Sequence, residues 1–230
     1  MLPCSGVRLF LASCCFFALS VAPAQADPLP QCDSDHKHTD DCQIQSADPV
    51  GLRFEKRRSG GIAEVRVLTK DGALAQNIEQ PVNAQERLTG VPSVQDLDGD
   101  GRDELLISIE SGGTHGNSDW AIWRATGDST RFQRVDGVLF GGEFWSAGDD
   151  LFAVWGSGPM RSWRTTVYRF EGNRIAEVAA VQDDGFTSLD NQHHPCYLLE
   201  QDDLARYGLT PETARDRFCA STHKHVPHAI

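Results

Sequence analysis

Ten consecutive residues, Asp96-Leu97-Asp98-Gly99-Asp100-Gly101-Arg102-Asp103-Glu104-Leu105, constrain this chain more than any other stretch. Carboxylates stand at positions 96, 98 and 100, and another returns at 104. Like charges this close repel one another unless a cation sits among them. Hard cations such as Ca²⁺ take about six to eight oxygens at roughly 2.3–2.6 Å, and a tightly curled loop supplies them by turning alternate side chains inward. The spacing therefore predicts a calcium site built from Asp96, Asp98, Asp100 and Glu104, with Gly101 permitting the turn and Arg102 offering its backbone carbonyl. An EF-hand is excluded, because its bidentate glutamate belongs at the twelfth loop position, where Ile107 stands here. The plainer alternative is a solvated acidic turn.

The loop runs directly into Leu105-Leu106-Ile107-Ser108-Ile109, which has strand character. Two-residue periodicity puts Leu105, Ile107 and Ile109 on one face, with Leu106, Ser108 and Glu110 on the other. Strand and turn signals dominate from Gly51 onward. Residues 62–68 alternate imperfectly, and Lys70-Asp71-Gly72 is a hairpin signal before residues 73–79. Trp120-Ala121-Ile122-Trp123-Arg124 reads as a strand, Gly127-Asp128 as a turn, and residues 131–135 as a further strand. The pattern then recurs. Asp150-Leu151-Phe152-Ala153-Val154-Trp155 takes the place of Glu104-Leu105 and its strand, and residues 166–170 and 174–181 repeat the ending. Glu104-Leu105 to Asp150-Leu151 is 46 residues, and Trp123-Arg124 to Tyr168-Arg169 is 45. This period, with about four strands per unit, predicts a mainly β, β-propeller-like fold of repeated antiparallel meanders, with residues 51–80 as a degenerate third unit. Three units fall short of the four or so blades that a closed propeller needs. A single β-sandwich or barrel stays open as the alternative.

The flanks speak to compartment. Arg8 followed by an apolar run over residues 9–22 and by Ala24-Gln25-Ala26 reads as a signal peptide over 1–26, with a mature start at Asp27. Leu11-Ala12-Ser13-Cys14 also fits a lipoprotein cleavage box, which would leave Cys14 acylated. Losing Arg8 moves the net charge of −12 to −13, because residues 1–26 contain no acid. Such acidity argues against nucleic acid and anionic membranes as partners, and favours basic proteins and divalent cations. Beyond residue 26 the cysteines are Cys32, Cys42, Cys196 and Cys219. Four cysteines allow three pairings, and proximity favours Cys32–Cys42 with Cys196–Cys219. That usage predicts an oxidising compartment, periplasmic or secreted.

The expected organisation is a polar, disulfide-pinned segment over 27–50, a β-repeat domain over 51–190, a helical appendage over 191–222 and a flexible tail over 223–230. Within the appendage, residues 202–207 ahead of Gly208 read as a short helix. Thr210-Pro211 reads as the N-cap and first turn of a second helix through Cys219.

The acidic stretch, Asp96-x-Asp98-Gly99-Asp100-Gly101-x-x-Glu104-Leu105, resembles the calcium loop of the FG-GAP (VCBS, integrin-like) repeat family. In the second unit Phe140-Gly141, Gly148-Asp149-Asp150-Leu151 and Gly156-Ser157-Gly158-Pro159 resemble the same repeat with its calcium loop deleted. The resemblance covers residues 91–181 and is concentrated in 96–105. It implies a propeller-like fold, structural Ca²⁺, no shared catalytic activity, and a role in adhesion or protein binding. In size, export and single calcium loop the chain is also similar to bacterial periplasmic inhibitors of lysozyme-like peptidoglycan hydrolases.

Other features compete for attention. His36-Lys37-His38, set among Asp33, Asp35, Asp40 and Asp41, is a possible zinc site, and His223-Lys224-His225 with His228 could join it if the ends of the chain meet. Polar tails in which histidine is merely a neutral side chain are the simpler reading. There is no Gly-x-Ser-x-Gly, no His-Glu-x-x-His and no glycine-rich phosphate loop. Trp163, read as a loop residue after Gly158-Pro159, is a candidate partner anchor. The resulting expectation is a monomeric, calcium-binding protein-binding module without a membrane span and without catalytic residues, its partner a protein such as a basic hydrolase. Zinc handling and a cell-wall or glycan hydrolase are the alternatives.

Overall fold

The computed structural model describes residues 29–32, 41–86, 89–111, 116–157, 162–184, 196–199 and 203–225. The signal-like segment and His36 and His38 lie outside these. The strands are β1 (Cys42–Gln45), β2 (Arg53–Ser59), β3 (Ile62–Leu68), β4 (Leu74–Pro81), β5 (Pro92–Gln95), β6 (Glu104–Ser111) and β7 (Ser118–Arg124). After them come β8 (Gln133–Arg134), β9 (Leu139–Gly141), β10 (Glu143–Gly148), β11 (Leu151–Ser157), β12 (Ser162–Glu171), β13 (Arg174–Asp184) and β14 (Cys196–Leu198). One α-helix follows, α1 (Pro211–His225).

The strands form three antiparallel sheets in chain order: β1-β2-β3-β4, then β5-β6-β7-β8 with β9 also on β7, then β10-β11-β12-β13-β14. Each is a meander, as the repeat in the sequence predicts. β6, which starts at Glu104-Leu105, and β11, which starts at Leu151 directly after Asp150, occupy the same second place in their sheets.

The sheets stack face to face, and β6 shows why. Leu105 and Ile107 pack with Phe54, Val65, Val67 and Ile78 of the first sheet. Leu106 points the other way and packs with Phe152 and Val154 of the third. A strand covered on both faces must be apolar on both, which explains why residues 105–107 are a continuous apolar run. The far face of the third sheet is covered by α1, where Phe218 and Ala214 meet Val167, Val178 and Val181. Thr210 caps that helix, its Oγ1 accepting from Thr213 N at 3.2 Å.

Both ends of the stack are closed off differently. The outer face of the first sheet carries Arg53, Glu55, Arg57, Glu64, Arg66 and Glu79, with Glu55 paired to Arg66 at 2.9 Å and to Arg53 at 3.3 Å. The other end is helix. Among the described residues no barrel closes; the sheets form an open stack with a charged end and a capped end.

Both expected disulfides are present, Cys32–Cys42 and Cys196–Cys219. The second ties edge strand β14 to α1. Such bonds fit an oxidising compartment. Among the described residues no helix is long and apolar enough to cross a membrane.

Three local expectations change. The segment over 27–50 is not wholly irregular, because Cys42–Gln45 is β1, paired along its length with β2. Trp163 lies within β12, opposite Ser157 and Asp183, and is half-buried. The C-terminal helix runs to His225, beyond its expected end at Cys219, while residues 204–207 form a 3-10 turn capped by Gly208.

Gly141 shows how closely sheets two and three approach. A Cβ there would lie 2.5 Å from the Trp155 carbonyl oxygen and 2.5 Å from Val154 Cγ1, while Gly142 N donates to Trp155 O at 2.8 Å. A Cβ on Gly156 would lie 3.6 Å from Gly141 Cα and 3.7 Å from Phe140 O, so Phe140-Gly141 meets Gly156. Gly141→Ala is expected to destabilise by about 1–3 kcal/mol through overpacking, read as a lowered urea midpoint with an unchanged m-value.

Candidate metal centre

The acidic loop joins β5 to β6, the first two strands of the middle sheet. It curls on its own hydrogen bonds. Asp96 Oδ1 accepts from Gly99 N at 2.8 Å, and Asp96 Oδ2 accepts from Gly101 N at 3.0 Å. Gly99 and Gly101 have φ of 78° and 85°, left-handed values that suit glycine. Leu97 is fully buried in the core between the second and third sheets, anchoring the loop from below. Its amide donates to Glu104 Oε2 at 2.9 Å, tying the start of the loop to its end.

This folding gathers ligand atoms of Asp96, Asp98 and Glu104 within 4.8 Å of one another. Two oxygens on opposite sides of a Ca²⁺ ion stand roughly 4.6–5.2 Å apart, so the cluster has the dimensions of such a site. Asp98 is 7% exposed and Glu104 is fully buried. Asp98 Oδ1 is buried with no hydrogen-bond partner. An unsatisfied buried acceptor costs about 1–3 kcal/mol, and more when charged, so the loop has an unmet demand for positive charge. Asp100 is at the rim, its side chain 32% exposed.

Arg124, near the end of β7, reaches into the cluster. Its Nη2 donates to Asp98 Oδ2, and to Asp100 Oδ2 at 3.0 Å, while its Nε donates to Glu104 Oε1 at 3.3 Å. Its guanidinium carbon lies 4.5 Å from the centre of the Phe170 ring, so the third sheet supports it from behind. One guanidinium does not balance four carboxylates. Burial pushes the Glu104 carboxyl up to about 8, with Asp98 and Asp100 adding to the rise against the opposing Leu97 amide and Arg124. Burial likewise raises Asp98, against the attraction of Arg124.

The sign of the pH effect follows. A carboxyl whose folded pKa lies above its unfolded value holds more protons when folded, so stability falls as pH rises between the two values. In chelating buffer the protein is therefore expected to lose thermal stability as pH climbs from 4.5 to about 8. Thermal melts across that window in EDTA check this; a melting temperature that rises through it would contradict the buried, cation-poor Glu104.

The other side of the loop grips the first sheet. Arg102 turns its side chain away from the acidic cluster, with Nε donating to Asp48 Oδ2 at 2.8 Å and Nη2 to Ser129 O at 3.1 Å. Asp103 Oδ2 accepts from Ser46 Oγ at 2.9 Å and from Ala47 N at 2.7 Å. A single loop thus ties the β1–β2 connection to one side and, through Arg124 and Phe170, the third sheet to the other.

Of the predicted ligands, then, Asp96, Asp98 and Glu104 come together and Asp100 joins them at the rim. The Arg102 side chain serves a separate ion pair. Arg124, Asp48 and Asp103 were not expected to take part. Arg124 is distant in sequence, although its place at the end of a strand that must return beside β6 was a usable signal. Of the two histidine pairs, His36 and His38 lie outside the described residues. His223 is on α1, its Nε2 2.9 Å from Asp183 Oδ2. His225 stacks on Trp145 with ring centres 5.1 Å apart.

No protein-family model matches the chain, and no curated protein matches it. Among solved structures, one described as "Structure of a Xanthomonas Type IV Secretion System related protein" is similar at 14% identity and a TM-score of 0.45, over 70% of this chain and 90% of that one. A likeness at that level carries no argument about fold or role.

Proposed function

We propose that this chain is an exported β-repeat protein whose acidic loop holds a structural Ca²⁺, and that it acts as a protein-binding module. The observation that carries the calcium reading is the clustering of Asp96, Asp98 and Glu104 oxygens within 4.8 Å around a buried Asp98 oxygen that no protein group satisfies. Asp96, Asp98, Asp100 and Glu104 would hold the ion, which would supply charge to a loop joining all three sheets. The stacked meanders and the meeting of Phe140-Gly141 with Gly156 support an FG-GAP-like reading, with propeller-like blades left as an open stack.

Binding rather than catalysis is favoured because the chemistry-bearing groups are consumed by structure. Arg102, Asp103 and Asp48 hold one another, and the four described cysteines are in disulfides. The net charge of −12 suits a basic partner, and among basic extracytoplasmic proteins a lysozyme-like hydrolase fits the resemblance best. Calcium titration calorimetry on wild type and Asp98→Asn tests the metal reading: one site is expected in the first and loss of most affinity in the second. Inhibition assays against a panel of lysozyme-like hydrolases test the partner class. Full hydrolase activity at micromolar concentrations of the calcium-loaded protein removes the inhibitor reading and leaves the calcium site standing.

A further inference from the structure

We infer that Arg124 is a tethered competitor for the calcium site, standing in for the ion when calcium is scarce and weakening its binding when calcium is present. The inference rests on the calcium reading above. Arg124 donates to three of the same carboxylates that would hold the ion, Asp98, Asp100 and Glu104. Its side chain is 18% exposed and backed by Phe170, so it is held in the cluster rather than sampling solvent. A guanidinium and a divalent cation cannot share those oxygens without cost, because like charges at contact distance repel strongly in a partly buried site.

The second repeat shows what this chain does where the ligands are missing. The turn between β10 and β11 stands where the acidic loop stands in the middle sheet, and Asp149 and Asp150 there have φ of 55° and 58°. Among the described residues, arginines pair with those solvent-exposed carboxylates: Arg217 Nη1 lies 2.9 Å from Asp149 Oδ2, and Arg169 Nη2 lies 3.3 Å from Asp150 Oδ2. Arg169, like Arg124, comes from the third strand of its own sheet. At the same corner of the next repeat, then, the acidic turn is met by guanidinium, though at the exposed surface rather than in a buried cluster. In the middle sheet both devices converge on one loop, and the arginine sets how much calcium is needed to displace it. Such tuning would place the site toward the weak end of calcium proteins, on the order of 10⁻⁴–10⁻³ M, which suits compartments where the ion is abundant.

The test uses the full-length exported protein, comparing wild type with Arg124→Gln and Arg124→Lys by calcium titration and by thermal melting in EDTA. Arg124→Gln is expected to bind calcium roughly tenfold or more tightly than wild type, because the competing charge is gone. The same variant should melt lower in EDTA, because four carboxylates then lack their cation. Arg124→Lys keeps one charge but lacks the fork that spans three carboxylates, so both effects should be smaller. If Arg124→Gln folds only with calcium, that itself is the expected direction, and Arg124→Lys supplies the affinity comparison. Unchanged or weaker binding in both variants, beside measurable binding by wild type, overturns the inference and makes Arg124 a positioning residue. An absence of calcium binding in all three proteins defeats the calcium reading itself and this inference with it.

Discussion

Replacing Arg102 with alanine is expected to lower stability by about 3–5 kcal/mol, the usual consequence of stranding a buried charge. The side chains of Arg102 and Asp48 are 7% and 2% exposed, and their contact is 2.8 Å. Burial alone would raise the Asp48 carboxyl, but Arg102, the Asp103 amide, Ser46 and the Gly51 amide together hold it below its ordinary value. Removing the guanidinium leaves that carboxylate with amide and hydroxyl donors only and releases Ser129 O as well. For a chain of this size the melting temperature should fall by roughly 6–20 °C. Asp48→Asn keeps the shape and removes the charge, so it should cost less than Arg102→Ala. A loss below about 1 kcal/mol, the range of an exposed pair, would mean the clamp is surface decoration.

Phe218→Ala is the second large effect, expected at about 3–5 kcal/mol from lost burial and the cavity left behind. Phe218 is 1% exposed and packs in the core cluster that joins α1 to the third sheet. The Cys196–Cys219 bond stays in place, so the helix remains tethered while its main apolar contact is gone. Amide exchange should accordingly quicken in α1 and β12–β14 before it changes in β2–β4, which lie at the other end of the stack. Uniform loss of protection across all three sheets would show that the helix supports the whole stack rather than its capped end.

Much of this architecture was legible in the chain. The 45-residue period located β6 and β11 in equivalent places because an acidic-leucine pair stands at the start of each and each is buried on both faces. Spacing in sequence was enough for both disulfides. Short edge strands were harder to see. β1, β5 and β14 have few residues and mixed burial, so they carry little periodic signal, and their pairing is decided by the strand beside them. The openness of the stack was also hidden, because it depends on which outer faces are charged or covered. That is set by register: Glu55 opposite Arg66 and Arg57 opposite Glu64 turn one sheet face to water.

At the acidic loop the carboxylates were readable and the cations were not. The alternating residues 96, 98 and 100 and the return at 104 declare a site from local sequence alone. Arg124 comes from 20 residues beyond Glu104, and Asp48 from 54 residues before Arg102. Asp48 depends on tertiary placement that no local pattern encodes, whereas Arg124 is signalled only by the return of its strand beside β6. What they add is a physical role. The loop is the joint between sheets, with one side locked by a buried ion pair and the other dependent on positive charge.

Calorimetric melting of the intact protein in millimolar CaCl₂ and in EDTA tests that dependence most directly. With a dissociation constant on the order of 10⁻⁴–10⁻³ M, millimolar calcium stabilises by about 0.4–1.4 kcal/mol, so it should raise the melting temperature by roughly 1–6 °C. The increment should vanish in Asp98→Asn, whose buried oxygen is the unmet acceptor at the centre of the loop. Identical melting curves in calcium and chelator, with no calcium found by elemental analysis of the purified protein, would contradict the account.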